Sequence, residues 1–181
     1  MFVREPAVAG TFYPSSPTAL RDFFAKQFPD VKKKVPAQAV VVPHAGYTYS
    51  GDTAAKVFAR VEVTDTVILI GPNHTGEGVP FSVAQDSIWR TPLGEVSVDN
   101  DLADEIIKSC PHFKPDNISH RKEHSLEVEV PFLQHIKPNV KIVPITIGTD
   151  LIRVARAAAD GLAHVLKGKR ILIVADRKSV V

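Results

Sequence analysis

The sequence predicts an α/β fold in which a mostly parallel central sheet is covered by helices on both faces, with a small hairpin excursion. Two observations lead to this prediction. Runs such as "AVVVP" and "TVILIGP" are rich in β-branched residues without polar alternation, which is typical of parallel strands buried between two layers of helices. Amphipathic segments separate these runs, and a regular alternation of strand and helix favours a parallel sheet.

The first half of the chain predicts one helix followed by a βαβ unit. Ser16 and Pro17 are a suitable cap and first residue for a helix in "SPTALRDFFAKQF". "AQAVVVP" and "DTVILIGP" are predicted to be buried strands, and "GDTAAKVFARV" is predicted to be the helix that connects them.

The second half begins with the hairpin excursion and then returns to the sheet. "FSVAQDSIWRTPLGEVSVD" predicts two short strands joined by a turn at residues 91–94, and Asp99 is a suitable N-cap for the helix that follows. "HSLEVEVPFLQHI" alternates like a strand but also carries a helical apolar stripe, and we favour the helix despite Pro131. "VKIVPITIG", "DLIRVARAAADGLAHVLKG" and "KRILIVA" then predict strand, helix and strand.

The composition indicates a globular protein of a single domain over residues 1–181, with 44% hydrophobic and 23% charged residues. The formal charge of +2 is scattered, so we expect no nucleic-acid partner. No apolar run approaches the roughly 20 residues that a bilayer requires, and the N-terminus lacks a signal-peptide layout. We therefore expect a cytoplasmic protein without membrane contact. Because Cys110 stands alone, an intrachain disulfide framework is excluded, and a metal site must rely on histidines and carboxylates.

Two histidines follow predicted strands directly, where ligands bind to sheets of this class. His44 comes after "AVVVP" and His74 after "VILIGPN". If the two strands are neighbours, their axes lie about 4.8 Å apart, whereas two imidazole nitrogens on one tetrahedral ion lie about 3.4 Å apart. A slight convergence of the side chains would therefore let both rings bind one metal ion. A single histidine at such a place is more often an ordinary polar loop residue, and the pair strengthens the metal interpretation.

Other side chains near these loops are candidates for chemistry, each with a simpler structural alternative. His124 is a candidate acid or base, or else a capping group, and Glu127 could accept a hydrogen bond or proton from it, or else lie on a solvated acidic face. Tyr49 could line a pocket or donate to a substrate oxygen, or else be structural. The segment "SGDTAAK" offers the backbone amides of a helix N-terminus to an anion, or else is capped by its own side chains.

The chain resembles the Memo family, also called AmmeMemoRadiSam system protein B. The motifs that carry the resemblance are "REPAVAGTFYP", "PHAGYTYSGDTAAKVFA", "GPNHTG", "WRTPLGEVSVD" and "EHSLEVEVPFLQ", in this order. The family is similar in fold to LigB-type class III extradiol dioxygenases, which implies a three-layer architecture. The resemblance also implies a pocket that binds a metal ion, iron or copper, through two histidines that match His44 and His74 and through a later cysteine.

The end of the chain departs from this family pattern. The family continues for roughly another hundred residues, whereas this chain closes with "ILIVADRKSVV", so we expect a member that lacks the C-terminal third. Cys110 does not match the family cysteine, and Asp176 is the candidate to fill the vacant ligand position. Missing strands would expose an apolar sheet edge, which predicts a homo-oligomer.

Three functions remain open at this point. The first is a metal-dependent oxidoreductase similar to an extradiol dioxygenase, with metal at His44, His74 and Asp176 and with His124, Tyr49 and Glu127 in catalysis. The second is a non-enzymatic binding protein that uses the same pocket for a peptide or a small anionic ligand. The third is a chain that retains the fold without activity.

Overall fold

The computed structural model describes residues 1–177, and its centre is a six-stranded sheet of mostly parallel strands. Its strands are β2 (Ala39–Pro43), β3 (Thr66–Pro72), β4 (Phe81–Val83), β7 (Lys114–Pro115), β8 (Lys141–Ile147) and β9 (Leu172–Arg177). They lie in the order β2-β9-β3-β8-β4-β7, and within this sheet, over residues 1–177, the single antiparallel pair is β4 with β8. The predicted α/β class is therefore confirmed.

The order of the strands corrects one premise of the sequence analysis. β2 and β3 are not neighbours, because β9 pairs in parallel with both of them. The βαβ unit therefore leaves a gap about two strand spacings wide, roughly 9.6 Å, between β2 and β3, and β9 fills this gap. The carboxyl ends of β2, β9 and β3 consequently lie side by side at one edge of the sheet.

β2 is an edge strand rather than the fully covered strand that its sequence predicts. Among the described residues no strand pairs with its outer side, and Val41 is 58% exposed. An unbroken run of valines indicates a β-strand but carries no information about the position of that strand within the sheet. By contrast, β3 is buried over most of its length, as predicted.

The helices agree closely with the sequence predictions. Ser16 caps the first helix by accepting from the Ala19 N–H, and Asp99 caps the third by accepting from the Leu102 N–H. The segment "HSLEVEVPFLQHI", whose sequence is compatible with a strand or a helix, is helical. A 3₁₀ turn at Glu127–Glu129 leads directly into a helix, and Pro131 lies in the first turn of that helix. The helices are α1 (Pro17–Gln27), α2 (Asp52–Arg60), α3 (Asn100–Ser109), α4 (Ile118–Arg121), α5 (Val130–Ile136) and α6 (Ile152–Leu166). α1, α2 and α5 pack together, and α3 packs with α6.

The predicted hairpin is present beside this main sheet. β5 (Ser87–Thr91) and β6 (Gly94–Ser97) are antiparallel, and Thr91 faces Gly94 at the turn. The N-terminal strand β1 (Phe2–Arg4) adds to β5 in parallel, which gives a small three-stranded sheet. None of the helices in residues 1–177 has the length and apolarity needed to cross a membrane.

Candidate metal site

His44 is the first residue after β2, and a carboxylate from the adjacent strand fixes its ring. The side chain is 7% exposed, and its Nδ1 lies 2.5 Å from Oδ1 of Asp176 in β9. Because β9 pairs directly with β2, this contact follows from the register, in which Val42 faces Asp176. The inserted strand therefore supplies the group that orients the ring of His44.

His74 lies in the loop after β3, and both its backbone and its ring are fixed. The side chain of Asn73 accepts from the N–H groups of Thr75 and Gly76, which closes a tight turn around the histidine. Glu123 accepts from the backbone N–H of His74 at 2.6 Å and contacts its Nδ1 at 2.8 Å. The His74 side chain remains 30% exposed.

His124 comes from the loop between α4 and α5, and Glu123 also holds this loop. Oε1 of Glu123 accepts from the backbone N–H groups of His124 and Ser125, both at 2.9 Å. Burial lowers the pKa of His124, and the neighbouring rings of His74 and His44 lower it further, against the opposing effect of Glu123. The ring is therefore neutral near pH 7, which is the form that binds a metal ion.

The three histidine rings form one cluster. The ring centroids lie 5.1 Å apart for His44 and His74, 5.5 Å for His44 and His124, and 4.5 Å for His74 and His124. One ligand atom of each ring lies within 4.8 Å of those of the others. Because ligand nitrogens on a tetrahedral ion lie about 3.4 Å apart, small side-chain rotations would bring all three to one ion. The cluster could therefore hold a metal ion.

The carboxylates behind two of the rings determine which nitrogen is free. A carboxylate accepts hydrogen bonds, so the Nδ1 atoms of His44 and His74 carry the protons that Asp176 and Glu123 accept. The Nε2 lone pairs of both rings are then available as ligands, which is the arrangement of carboxylate, histidine and ion seen in many metal sites. Burial alone would raise the pKa of Glu123, but the hydrogen bonds from His74 and Ser125 lower it overall, so this carboxylate stays ionised.

The comparisons with known proteins identify the family. The model of a family described as Memo-like protein matches residues 4–177. The chain belongs to this Memo-like family. It is 46% identical to a MEMO1 family protein of Aquifex aeolicus and 42% identical to one of Archaeoglobus fulgidus, and each match covers 96% of this chain and 66% of the relative. A MEMO1 family protein of Sulfolobus acidocaldarius is 41% identical, over 95% of this chain and 67% of the relative. The chain thus spans about two thirds of the length of these relatives.

In this Memo-like chain the predicted site residues are brought together only in part. His44, His74 and His124 form the cluster, and His124, expected to be an acid or base, lies where a third ligand would lie. Asp176, expected to be a ligand, is not in the group and instead lies behind His44. The ring of Tyr49 lies near Gly46, on the loop that follows His44, but the residue is 80% exposed and makes no hydrogen bond through its side chain within residues 1–177.

Glu127 has a different environment from the one its sequence suggests. It is fully buried, and its two oxygens accept from Arg4, from the hydroxyl of Tyr13 and from two backbone N–H groups. The solvated acidic face that was the simpler alternative is therefore absent at this position, and the carboxylate is committed to the N-terminal segment. Cys110 is likewise outside the cluster, with its sulfur 3.9 Å from the carbonyl of Ala158 in α6.

Sequence reasoning missed the importance of Glu123 and the shape of the loop after β2. An acidic residue immediately before a candidate histidine was the available signal, but nothing local reveals that Glu123 is buried and reaches His74. The helix after β2 starts earlier than predicted, with a π-helical turn at Tyr47–Gly51. The segment "SGDTAAK" therefore lies within helical turns rather than at a helix N-terminus, which removes the basis for the anion site that was one of its two alternatives.

An open cavity of about 700 Å³ lies elsewhere in the molecule. It is lined by residues that precede strands, including Gln38, Thr64 and Ile171, so it is at the amino edge of the sheet. This cavity is at the opposite edge from the three histidines and does not contribute to their site.

Proposed function

We propose that this chain binds one transition-metal ion through His44, His74 and His124. The observation that carries the proposal is the convergence of three imidazole rings at the carboxyl edge of the sheet, with ligand atoms within 4.8 Å of one another. Two rings that are fixed by carboxylates, at 2.5 Å and 2.8 Å, lose little conformational freedom when they bind an ion. Family membership supports the proposal, since the resemblance implied a metal at two of these residues.

Iron or copper is the proposed ion, because imidazole ligands suit both metals. When bound, such an ion would leave positions for an exogenous ligand and would supply Lewis-acid or one-electron redox chemistry. The protein residues have separate tasks around it. His44 is the buried ring, whereas the side chains of His74 and His124 are 30% and 25% exposed, so a ligand would approach from their side.

A redox activity similar to that of an extradiol dioxygenase is the enzymatic form of this proposal. The non-enzymatic form, in which the site binds a peptide or a small ligand, is favoured by one specific observation. The ring of Tyr49 is 80% exposed and lies beside Gly46 on the loop that follows His44. Tyrosine is among the residues enriched where proteins recognise their partners. The cytoplasmic location and the homo-oligomer stay predictions.

Metal analysis of the purified chain tests the proposal directly. The metal-free protein is loaded anaerobically with Fe²⁺, and in parallel with Cu²⁺ or Co²⁺, and the bound metal is measured after gel filtration. We expect about one equivalent in the wild type and a large loss in His44→Ala and in His74→Ala, because two imidazoles bind a divalent ion much more weakly than three.

His164→Ala is the matched control, because His164 is exposed on α6 and lies outside the cluster. It should bind as much metal as the wild type. Equal metal content in the His44→Ala, His164→Ala and wild-type proteins would refute the site. If the metal-free protein binds a peptide or a small ligand as tightly as the metal-loaded protein does, the non-enzymatic form is favoured instead.

A further inference from the structure

The N-terminal segment of residues 5–13, which we call the strap, is anchored by Glu127. The carboxylate of Glu127 accepts hydrogen bonds from the backbone N–H groups of Ala7 at 2.8 Å and Val8 at 3.0 Å, and from the hydroxyl of Tyr13 at 2.6 Å. Hydrogen bonds to an ionised acceptor are roughly twice as strong as those between neutral groups. Glu127 therefore fixes both the middle and the end of the strap.

Arg4 secures the beginning of the strap to the same part of the chain. Its guanidinium pairs with Glu127 at 2.7 Å and donates to the carbonyl oxygens of His120 at 2.8 Å and Glu123 at 2.5 Å. It also lies over the ring of Trp89, 4.3 Å from the centroid. Arg4 is buried, so these contacts are not weakened by solvent. The start of the strap is thus tied to the loop that carries the third histidine.

A tight turn folds the strap back toward the loop that carries His44. Gly10 has a φ of 86°, which favours glycine, and the N–H of Phe12 donates to the carbonyl of Val8 at 2.9 Å. The carbonyl of Phe12 accepts from the N–H of Tyr47 at 2.7 Å. The strap therefore contacts the loops of two of the three histidines.

The ring of Phe12 is placed edge-on against His124. The centroids are 5.1 Å apart and the planes are inclined by 63°. We propose that Glu127 is a positioning residue of the histidine site, which acts by holding Phe12 on the strap against the ring of His124. In this role Phe12 forms one wall of the site and limits access of solvent and ligands to His124 from that side. The inference rests on the proposed function, because the His124 ring that Phe12 shields is a proposed metal ligand.

The reactivity of His124 in the metal-free chain tests this inference. Diethyl pyrocarbonate modifies neutral imidazoles in proportion to their accessibility, and peptide mass spectrometry measures the rate for each histidine at pH 7. We expect Phe12→Ala to raise the rate at His124 severalfold, because the wall is removed. Glu127→Gln should raise this rate as well. The Glu127 carboxylate accepts from four donors, and an amide group in its place would turn its own N–H groups toward some of them and loosen the strap. His164 on α6 is the internal reference and should not change.

Glu129→Gln is the matched control for Glu127→Gln, because Glu129 is equally buried but contacts no hydrogen-bond partner within residues 1–177. It should leave the rate at His124 unchanged. The double variant Phe12→Ala/Glu127→Gln should be no faster than Phe12→Ala alone, since both changes act through one contact. Circular dichroism and thermal unfolding show whether each variant is folded. If Glu127→Gln does not fold, Tyr13→Phe replaces it, because it removes a single bond to the same carboxylate.

Unchanged labelling of His124 in a folded Phe12→Ala variant would overturn the inference. Additive acceleration in the double variant would also overturn it, because Glu127 would then act independently of Phe12. The labelling requires no metal, so its outcome is separate from that of the metal analysis. A wild-type chain that binds no metal would refute the proposed function and leave the test of the wall intact.

Discussion

Replacement of Glu123 by glutamine removes the carboxylate that lies behind His74. Four donors converge on this side chain: Oε1 contacts Nδ1 of His74 and the N–H groups of His124 and Ser125, and Oε2 accepts from the N–H of His74. A glutamine has one acceptor oxygen. In its better orientation it keeps the three contacts of Oε1 and turns its NH₂ group toward the His74 N–H, so one donor faces another.

This geometry gives the size of the effect. Loss of the carboxylate behind a ligating histidine typically weakens metal affinity by about 10- to 100-fold, which corresponds to about 1.4 to 2.8 kcal/mol. We expect Glu123→Gln near the upper end, because it disturbs His74 and the backbone of His124 together. Asp176→Asn should fall near the lower end. Its Oδ2 has no partner in the described part of the chain, so an asparagine can place its oxygen on His44 and its NH₂ group at the free position.

Competition between the protein and a chelator for Co²⁺ measures both affinities, with absorption of the bound ion as the signal. Thermal unfolding of the metal-free variants separates a folding defect from a loss of affinity. If Glu123→Gln is folded and binds Co²⁺ as tightly as the wild type, the assignment of Glu123 to the ring of His74 is wrong. If Asp176→Asn loses more affinity than Glu123→Gln, the argument from the number of donors is wrong.

Three further predictions concern stability and one concerns assembly. Burial raises the pKa of Glu129, so the folded state keeps a proton that the unfolded state loses above about pH 4.3; Glu129→Gln should therefore stabilise the chain, and urea unfolding should show a gain that grows with pH. Burial lowers the pKa of His120 to about 3, so below the unfolded-state pKa of about 6.5 the unfolded chain binds a proton that the folded chain does not, and stability is lost as the pH falls. The free energy of unfolding should therefore drop by about 2 kcal/mol between pH 7.5 and 5, and His120→Asn should remove this pH dependence. Arg4→Ala leaves Glu127 buried and without its ion pair, which should cost about 3 to 5 kcal/mol in urea unfolding, and a loss under 1 kcal/mol would contradict the pairing. Val41→Lys on the exposed edge of β2 should convert the expected homo-oligomer to a monomer in light scattering, whereas a monomeric wild type would refute that expectation.

Much of the fold could be predicted because its signals are local. Ser16 and Asp99 lie immediately before the helices that they cap, and a 3.6-residue stripe correctly favoured a helix over a strand before Ile136. The position of His44 and His74 after strands was also a local signal. These features depend on residues close together in the sequence, where propensity and periodicity apply.

The remaining features depend on contacts between distant residues, for which one sequence has no local signal. Nothing near Leu172–Arg177 indicates that this strand lies between the two strands of the βαβ unit. The pairing of Arg4 with Glu127 is equally non-local, and it makes Glu127 a buried anchor, which is neither the proton acceptor nor the solvated acid that the sequence left open. His120 in α4 is buried, and its Nε2 finds a partner in the distant hydroxyl of Ser82 in β4. Tertiary contacts override the local preference in each case.

The insertion of β9 between β2 and β3 has a consequence for the order in which parts of the molecule fold. His44 and the carboxylate that orients it are 132 residues apart in the sequence, so their contact is among the most costly loops for a growing polypeptide to close. During synthesis, β2 lacks its partner on that side until β9 has left the ribosome. The histidine cluster should therefore be assembled late in folding, and nascent chains that stop before Leu172 should be unable to retain an ion.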